Sequence, residues 1–169
     1  MSIKATPLGH SRILSVGTYR PKRAVPNSEI VDRIESTDEW IQQRTGIESR
    51  RFAGDDETVI SMAKAACEMA LKRAKLSIED IDTVILSTIS YPFQAPSAAT
   101  ELINELGNPK AAAFDISAAC AGFCYGVAMA SDLVRSGTSR NVLVIGVEKL
   151  SDYTDPDDRA TAFIFADGA

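Results

Sequence analysis

Two of the chain's three cysteines, Cys120 and Cys124, stand four residues apart in the stretch AAFDISAACAGFCYG, where an apolar run gives way to small residues and glycine. The pattern predicts a strand, AAFDIS, running into a helix from about Cys120 to Ser136, with Cys120 at the junction. In an α/β sheet such junctions collect ligands, because loops converge at the carboxyl ends of the strands and helix N-termini point free N–H groups outward. A thiolate there is stabilised by those donors and by the helix dipole, and the same donors can hold the oxyanion formed when a carbonyl is attacked. Ala118, Ala119, Ala121 and Gly122 leave room for an acyl group. Free cysteine is also a common core residue, so packing is the alternative for Cys120. Cys124, one turn further on and beyond the reach of the dipole, reads as core. A metal pair at i and i+4 would want two further ligands, and the single histidine, His10, lies far off in the leading segment. Metal binding is not expected.

The elements that position this junction are legible as patterns. RILSVGTYR (Arg12 to Arg20) reads as a first strand, and Asn27 as the N-cap of a short helix in NSEIVDRI. Ser36 or Thr37 caps a second short helix carrying Asp38 and Glu39 at its positive end, and Thr45 with Gly46 closes it. Trp40 and Arg44, at i and i+4, share one face of it. From Thr58 an amphipathic helix follows, with Val59, Met62, Ala66, Met69 and Ala70 on the apolar stripe and Cys67 in or beside it. A capping-box pattern from Ser77 to Asp80 precedes a strong strand, DTVILST. The loop with Pro92 and Pro96, the helix SAATELINEL and its stop at Gly107 come next. The strand AAFDIS, the helix after Cys120 and the strand NVLVIGVE complete an alternation of strand and helix. ATAFIFADGA reads as one more strand entering a glycine turn, so a chain ending there leaves a sheet edge exposed. Strands of unalternating apolar residues, separated by helices, predict a parallel sheet covered on both faces, with right-handed crossovers.

Composition bounds the function. The chain has 169 residues, 45% hydrophobic and 24% charged, and a formal net charge of −5. That is a globular domain, or one lobe of a larger one, with enough residues for a real core. The acidic balance argues against non-specific nucleic-acid binding, which needs a basic face. No window approaches the roughly 18 apolar residues of a membrane span. The leading MSIKATPLGHSR lacks the apolar core of a signal peptide, which points to the cytoplasm. Three cysteines make a disulfide framework improbable and reduced thiols the expectation.

Four motifs in register, LSVGTYRPKRAVPN, DEWIQQRTGIESRRFA, DISAACAGFCYG and DPDDRATAFIFADGA, make the chain resemble the first half of a β-ketoacyl-acyl carrier protein synthase III. The resemblance runs from Arg12 to Ala169. It implies an α/β, thiolase-like fold with a mixed, mostly parallel sheet covered by helices, in which residues 1–169 are the first of two pseudo-repeated halves and the C-terminal half is absent from this chain. It implies that Cys120 takes an acyl group from acyl-coenzyme A as a thioester, and that malonyl-acyl carrier protein decarboxylates to a carbanion that attacks it. No metal or redox cofactor is required; coenzyme A arrives with the substrate. The resemblance further implies that Trp40 and Arg159 sandwich the adenine of coenzyme A, that Arg44 contacts its nucleotide end, and that Ser36 lies beside the adenine. Packing and solvated surface are the alternative readings for these side chains. In some family members a bulky aromatic on the loop ISYPFQAPSA closes the acyl pocket of the dimer partner; Ala95 takes that position here, and Phe93 is the residue that would refill the space. The family's catalytic histidine and asparagine come from the second half of the fold, so the implied enzyme is a homodimer completed by that segment. Relatives that prime polyketide or quinolone pathways share the motifs. A coenzyme A-binding or interaction fragment without turnover is the reading from a different class.

Overall fold

The computed structural model describes residues 9–169. Residues 1–8, the greater part of the leading segment read for a signal peptide, lie outside the described residues. In chain order the elements are β1 (Arg23–Pro26), α1 (Asp38–Thr45), β2 (Ser49–Phe52), α2 (Val59–Ala74), β3 (Thr83–Ser87), α3 (Ala98–Leu106), β4 (Ala112–Ile116), α4 (Gly122–Arg135), β5 (Val142–Gly146), β6 (Glu148–Lys149) and β7 (Asp167–Gly168).

β3 is the centre of a three-stranded parallel sheet in the order β4, β3, β5. Its five residues are all buried, as expected for a strand covered on both faces. Side chains alternate across the sheet. Val84 and Leu86 face α2 and α3 and share one core with Met62, Ala63, Leu102 and Ile145. Ile85 faces the other way, under α4, where Gly126 lets the helix approach so closely that a Cβ there would stand 2.8 Å from Val144 Cγ1. Each fully buried Leu or Ile contributes about 1.5–3 kcal/mol to this sandwich. The first three helices begin where side-chain caps place them. Thr37, Thr58 and Ser97 accept from backbone N–H groups at the starts of α1, α2 and α3, and Gly46 and Gly107 close α1 and α3 in the left-handed region.

A second, smaller core joins Val25, Ile30, Ile34, Ile41, Ala162 and Phe163. It lies under the antiparallel ribbon of β1 and β2, in which Val25 is paired with Arg50.

Several expectations are corrected. Arg12–Arg20 is not a strand: only Tyr19 exchanges two backbone hydrogen bonds with Ala169, and one such pair makes no ladder. The segment instead runs beside α2, where a Cβ on Gly17 would collide with the Ala66 carbonyl at 2.0 Å. Asn27 caps nothing; a single 3-10 turn, Asn27–Glu29, replaces the short helix, because Asn27 Oδ1, the atom that would cap it, accepts instead from Arg50 Nη2 at 2.6 Å. On α2 the predicted stripe residues Val59, Met62 and Ala66 are buried, with Cys67 beside them, but the buried face widens to Ile60, Ala63 and Leu71 and leaves Met69 36% exposed and Ala70 half-buried. ATAFIFADGA is mostly turn, and only Asp167–Gly168 pair, with β6. No helix among the described residues is long and apolar enough to cross a membrane.

Candidate active site

Cys120 is exposed in a single 3-10 turn, Ala119–Ala121, between β4 and α4. The helix proper starts at Gly122, two residues later than predicted. Ala119 is in the left-handed region at φ 44°, which costs an alanine about 1–2 kcal/mol. The sharp turn lifts the thiol off the end of the sheet. Gly122 is essential to it. A Cβ there would sit 1.8 Å from Ser87 Oγ, so glycine alone lets the start of α4 rest on the carboxyl end of β3. The other thiols differ. Cys67 is buried, and burial followed by the charge of Glu68 pushes its thiol up to about 12. Cys124 is exposed, contrary to its reading as core, because α4 rests on the sheet through Gly122 and Gly126, and Cys124, two residues from each, stands on the other side of the helix.

The three side chains read as a nucleotide clamp converge. The Arg44 guanidinium lies over the Trp40 ring at 4.1 Å from its centroid, and that of Arg159 at 5.3 Å. Phe163, which the sequence reading placed only in a strand, meets the indole edge-on at 5.2 Å and 79°. Trp40 is therefore a half-buried plane held by an aromatic edge and flanked by two cations. The loop under Arg159 is fixed by its own carboxylates: Asp157 N–H donates to Asp155 at 2.9 Å, and Asp158 accepts from Ala160 N–H at 2.9 Å and from the Thr161 hydroxyl. Those bonds, the Thr161 hydroxyl first, hold Asp158 below the usual carboxylate range. The Ser36 hydroxyl, immediately before the cap of α1, is buried with no hydrogen-bond partner among the described residues.

The loop after β3 carries Phe93 and Ala95, both exposed. Phe93 stacks edge-on against Tyr91 at 5.6 Å. Both ends of the loop are pinned by acids that the sequence reading missed. Glu148 accepts from Ile89 N–H at 3.0 Å and from the hydroxyls of Thr88 and Ser90. Asp115 accepts from the N–H groups of Ala98 and Ala99 at 2.8 and 2.7 Å, fastening the start of α3 to β4. Burial, then the bond to Glu101, pushes the Tyr91 phenol up to about 12. An acid inside an apolar strand, as in AAFDIS, was the available signal for Asp115. Among the described residues no group of three or more His, Cys, Asp and Glu side chains gathers as metal ligands would.

Residues 114–169, which include Cys120 and Arg159, match the family described as 3-oxoacyl-[acyl-carrier-protein (ACP)] synthase III. The chain is 53% identical over 163 residues to a β-ketoacyl-[acyl-carrier-protein] synthase III of Kocuria rhizophila, covering 96% of this chain and 46% of that protein. A relative named synthase III 1 in Streptomyces coelicolor is 54% identical over 160 residues, covering 95% and 47%. The chain belongs to the β-ketoacyl-acyl carrier protein synthase III family, in its N-terminal portion. It spans about half the length of the curated relatives it matches. Solved synthases carry the same thiolase-type fold. The priming β-ketosynthase of the R1128 polyketide biosynthetic pathway superposes with a TM-score of 0.93 at 44% identity, over 99% of this chain and 50% of that one. The synthase III of Aquifex aeolicus superposes with a TM-score of 0.90 at 43% identity, over 93% and 51%.

Proposed function

We propose that this chain is the nucleophile-bearing, coenzyme A-binding half of a synthase that condenses an acyl-coenzyme A primer with malonyl-acyl carrier protein. The observation that carries this reading is the exposed Cys120 thiol on its strained turn at the carboxyl end of the parallel sheet. In the first step the Cys120 thiolate attacks the thioester carbonyl of the primer. The tetrahedral oxyanion collapses, the acyl–sulfur bond to coenzyme A breaks, and the coenzyme A thiolate leaves and takes a proton. In the second step malonyl-acyl carrier protein loses carbon dioxide, and the resulting carbanion attacks the Cys120 thioester. A carbon–carbon bond forms and the cysteine thiolate is expelled. The proton-handling histidine and asparagine would come from the other half of a homodimeric enzyme.

Trp40 would stack on the adenine with Arg159 on its other side, since indole and guanidinium planes both favour a π-face. Arg44 would neutralise the nucleotide phosphates, and the unpartnered Ser36 hydroxyl would find its hydrogen bond on the same ligand. Ala95, in place of a bulky ring, would leave room for branched or medium-length primers. Initiation of fatty acid synthesis is the role this reading favours, supported by the likeness to relatives named β-ketoacyl-[acyl-carrier-protein] synthase III, and the likeness to a polyketide priming ketosynthase favours the same chemistry with another primer as the second reading.

The test is mass spectrometry of the full-length enzyme after incubation with acetyl-coenzyme A. A single acetyl adduct on Cys120 that disappears on adding malonyl-acyl carrier protein is expected. An adduct on Cys124 instead, or none, would sink the assignment.

A further inference from the structure

Arg50, on β2, is 4% exposed and pairs with no carboxylate among the described residues. Burying a guanidinium without a counter-ion is costly, and an apolar side chain of similar volume would fill the same space more cheaply. Desolvation pulls its ionisation downward, though an arginine remains charged. What it does with its donors is therefore informative. Nη1 donates to the Val25 carbonyl at 3.2 Å, and Nη2 donates to Asn27 Oδ1 at 2.6 Å and to the Phe163 carbonyl at 3.2 Å.

Those acceptors lead to the two walls of the clamp. Asn27, 1% exposed, passes the connection on by donating from Nδ2 to Asp38 at 2.6 Å and to the Ile47 carbonyl at 2.7 Å. Asp38 opens α1, two residues before Trp40. Phe163 carries the ring that meets Trp40 edge-on, and it follows Arg159 by four residues. One planar fork thus ties the helix bearing Trp40 and Arg44 to the segment bearing Arg159. A lysine, with a single point of charge, cannot reach acceptors in this fixed divergent pattern as well.

We infer that Arg50 is a positioning residue for the nucleotide end of the substrate: through Asn27 and the Phe163 carbonyl it sets the spacing between Trp40 and Arg159. This rests on the reading of those residues as a coenzyme A clamp. It acts on nucleotide recognition and leaves the Cys120 turn, which stands at the end of the parallel sheet, untouched.

The test compares two primers on the full-length enzyme: acetyl-coenzyme A, and acetyl-N-acetylcysteamine, a thioester that lacks the nucleotide. Arg50→Met should raise KM for acetyl-coenzyme A by about tenfold, with kcat and the constants for the short thioester within about twofold of wild type. Arg50→Lys should recover part of the loss. Asp38→Ala, an exposed change that breaks the relay without touching the core, should raise KM for acetyl-coenzyme A by about threefold and decides the matter if Arg50→Met does not fold. Equal losses on both thioesters, or no change on either, would overturn the inference. Trp40→Ala separates the two levels. If it too fails to distinguish the thioesters, the clamp reading falls and the inference with it; if Trp40→Ala discriminates while Arg50 and Asp38 variants do not, the inference alone falls.

Discussion

The two proposed functional regions are built by different means. Cys120 stands on a sheet whose supporting core packs Val84 and Leu86 against Met62 and Leu102, the buried polar side chains of its central strand being only the hydroxyls of Thr83 and Ser87 at the two ends. The clamp stands on a small core threaded by a buried arginine and a buried asparagine, and its outer loop is held by carboxylates and a surface ion pair. In the proposed reaction the nucleophile must be placed to a fraction of an ångström against a carbonyl, and close-packed hydrocarbon gives that rigidity. A nucleotide is large, charged and held at several points, so a hydrogen-bonded frame of lower stiffness suffices. Breaking each region should therefore have a different signature.

The largest effect is expected at the thiol. Cys120→Ala should lower condensation by at least about a thousandfold while leaving coenzyme A affinity within about twofold, because covalent attack and nucleotide binding are separate contributions. Steady-state kinetics beside equilibrium binding checks this. Iodoacetamide labelling between pH 7 and 9 should spare Cys67, whose thiol is pushed up to about 12 by burial and stays protonated. Loss of nucleotide binding in Cys120→Ala would mean that the two regions are not independent.

Next comes the sheet. Leu86 is fully buried in the core beneath α2 and α3, and Leu86→Ala should cost about 2–5 kcal/mol of stability. Denaturant unfolding of the full-length enzyme measures it. Much of this region was legible from the sequence for the same physical reason that makes it stable. Apolar strands and capped helices announce themselves through local pattern: Thr58, Ser97 and Gly107 do in the structure what their residue types prescribe. The ribbon of β1 and β2 did not announce itself, because the fully buried side chain of β2 is Arg50, beside a half-buried Phe52, and no periodicity rule counts a buried charge as core. The meeting of Trp40 with Arg159, 119 positions apart in the chain, came only from the family resemblance, and Phe163 beneath them was read as strand. Arg12–Arg20 misled in the other direction. It has the composition of a strand, yet strand formation requires a partner ladder that composition does not reveal.

A subtler break lies at the junction. Gly122→Ala would drive a Cβ to 1.8 Å from Ser87 Oγ, forcing α4 or β3 to move. The expected cost is about 1–3 kcal/mol of stability, together with slower acylation because the Cys120 turn moves with the helix start. Adding Ser87→Ala removes the closest atom but leaves the Ser87 Cβ at 3.0 Å, so the double variant should regain only part of the loss. Full tolerance of Gly122→Ala would show that the end of the sheet is softer than its packing implies.

The smallest effect sharpens the comparison most, because it asks whether the clamp's outer frame behaves as a surface feature. Arg33 Nε donates to Asp157 Oδ1 at 2.8 Å, joining the turn before α1 to the loop that carries Arg159. Both side chains are half-exposed or more, at 50% and 63%. Such a pair gains little from Coulomb attraction, loses side-chain entropy in being held, and contributes about 0.2–1 kcal/mol. Arg33→Ala should thus leave the unfolding midpoint nearly unchanged. The loop it tethers also has its own bonds at Asp155 and Asp158, so KM for acetyl-coenzyme A should rise by less than about threefold, with kcat unaltered. Salt provides the control. At about 1 M ionic strength the Debye length falls to about 3 Å, and the small difference between Arg33→Ala and wild type should vanish. A loss from Arg33→Ala as large as that from Leu86→Ala, or one that survives high salt, would mean that the clamp is as tightly built as the sheet and that the division between the two regions is wrong.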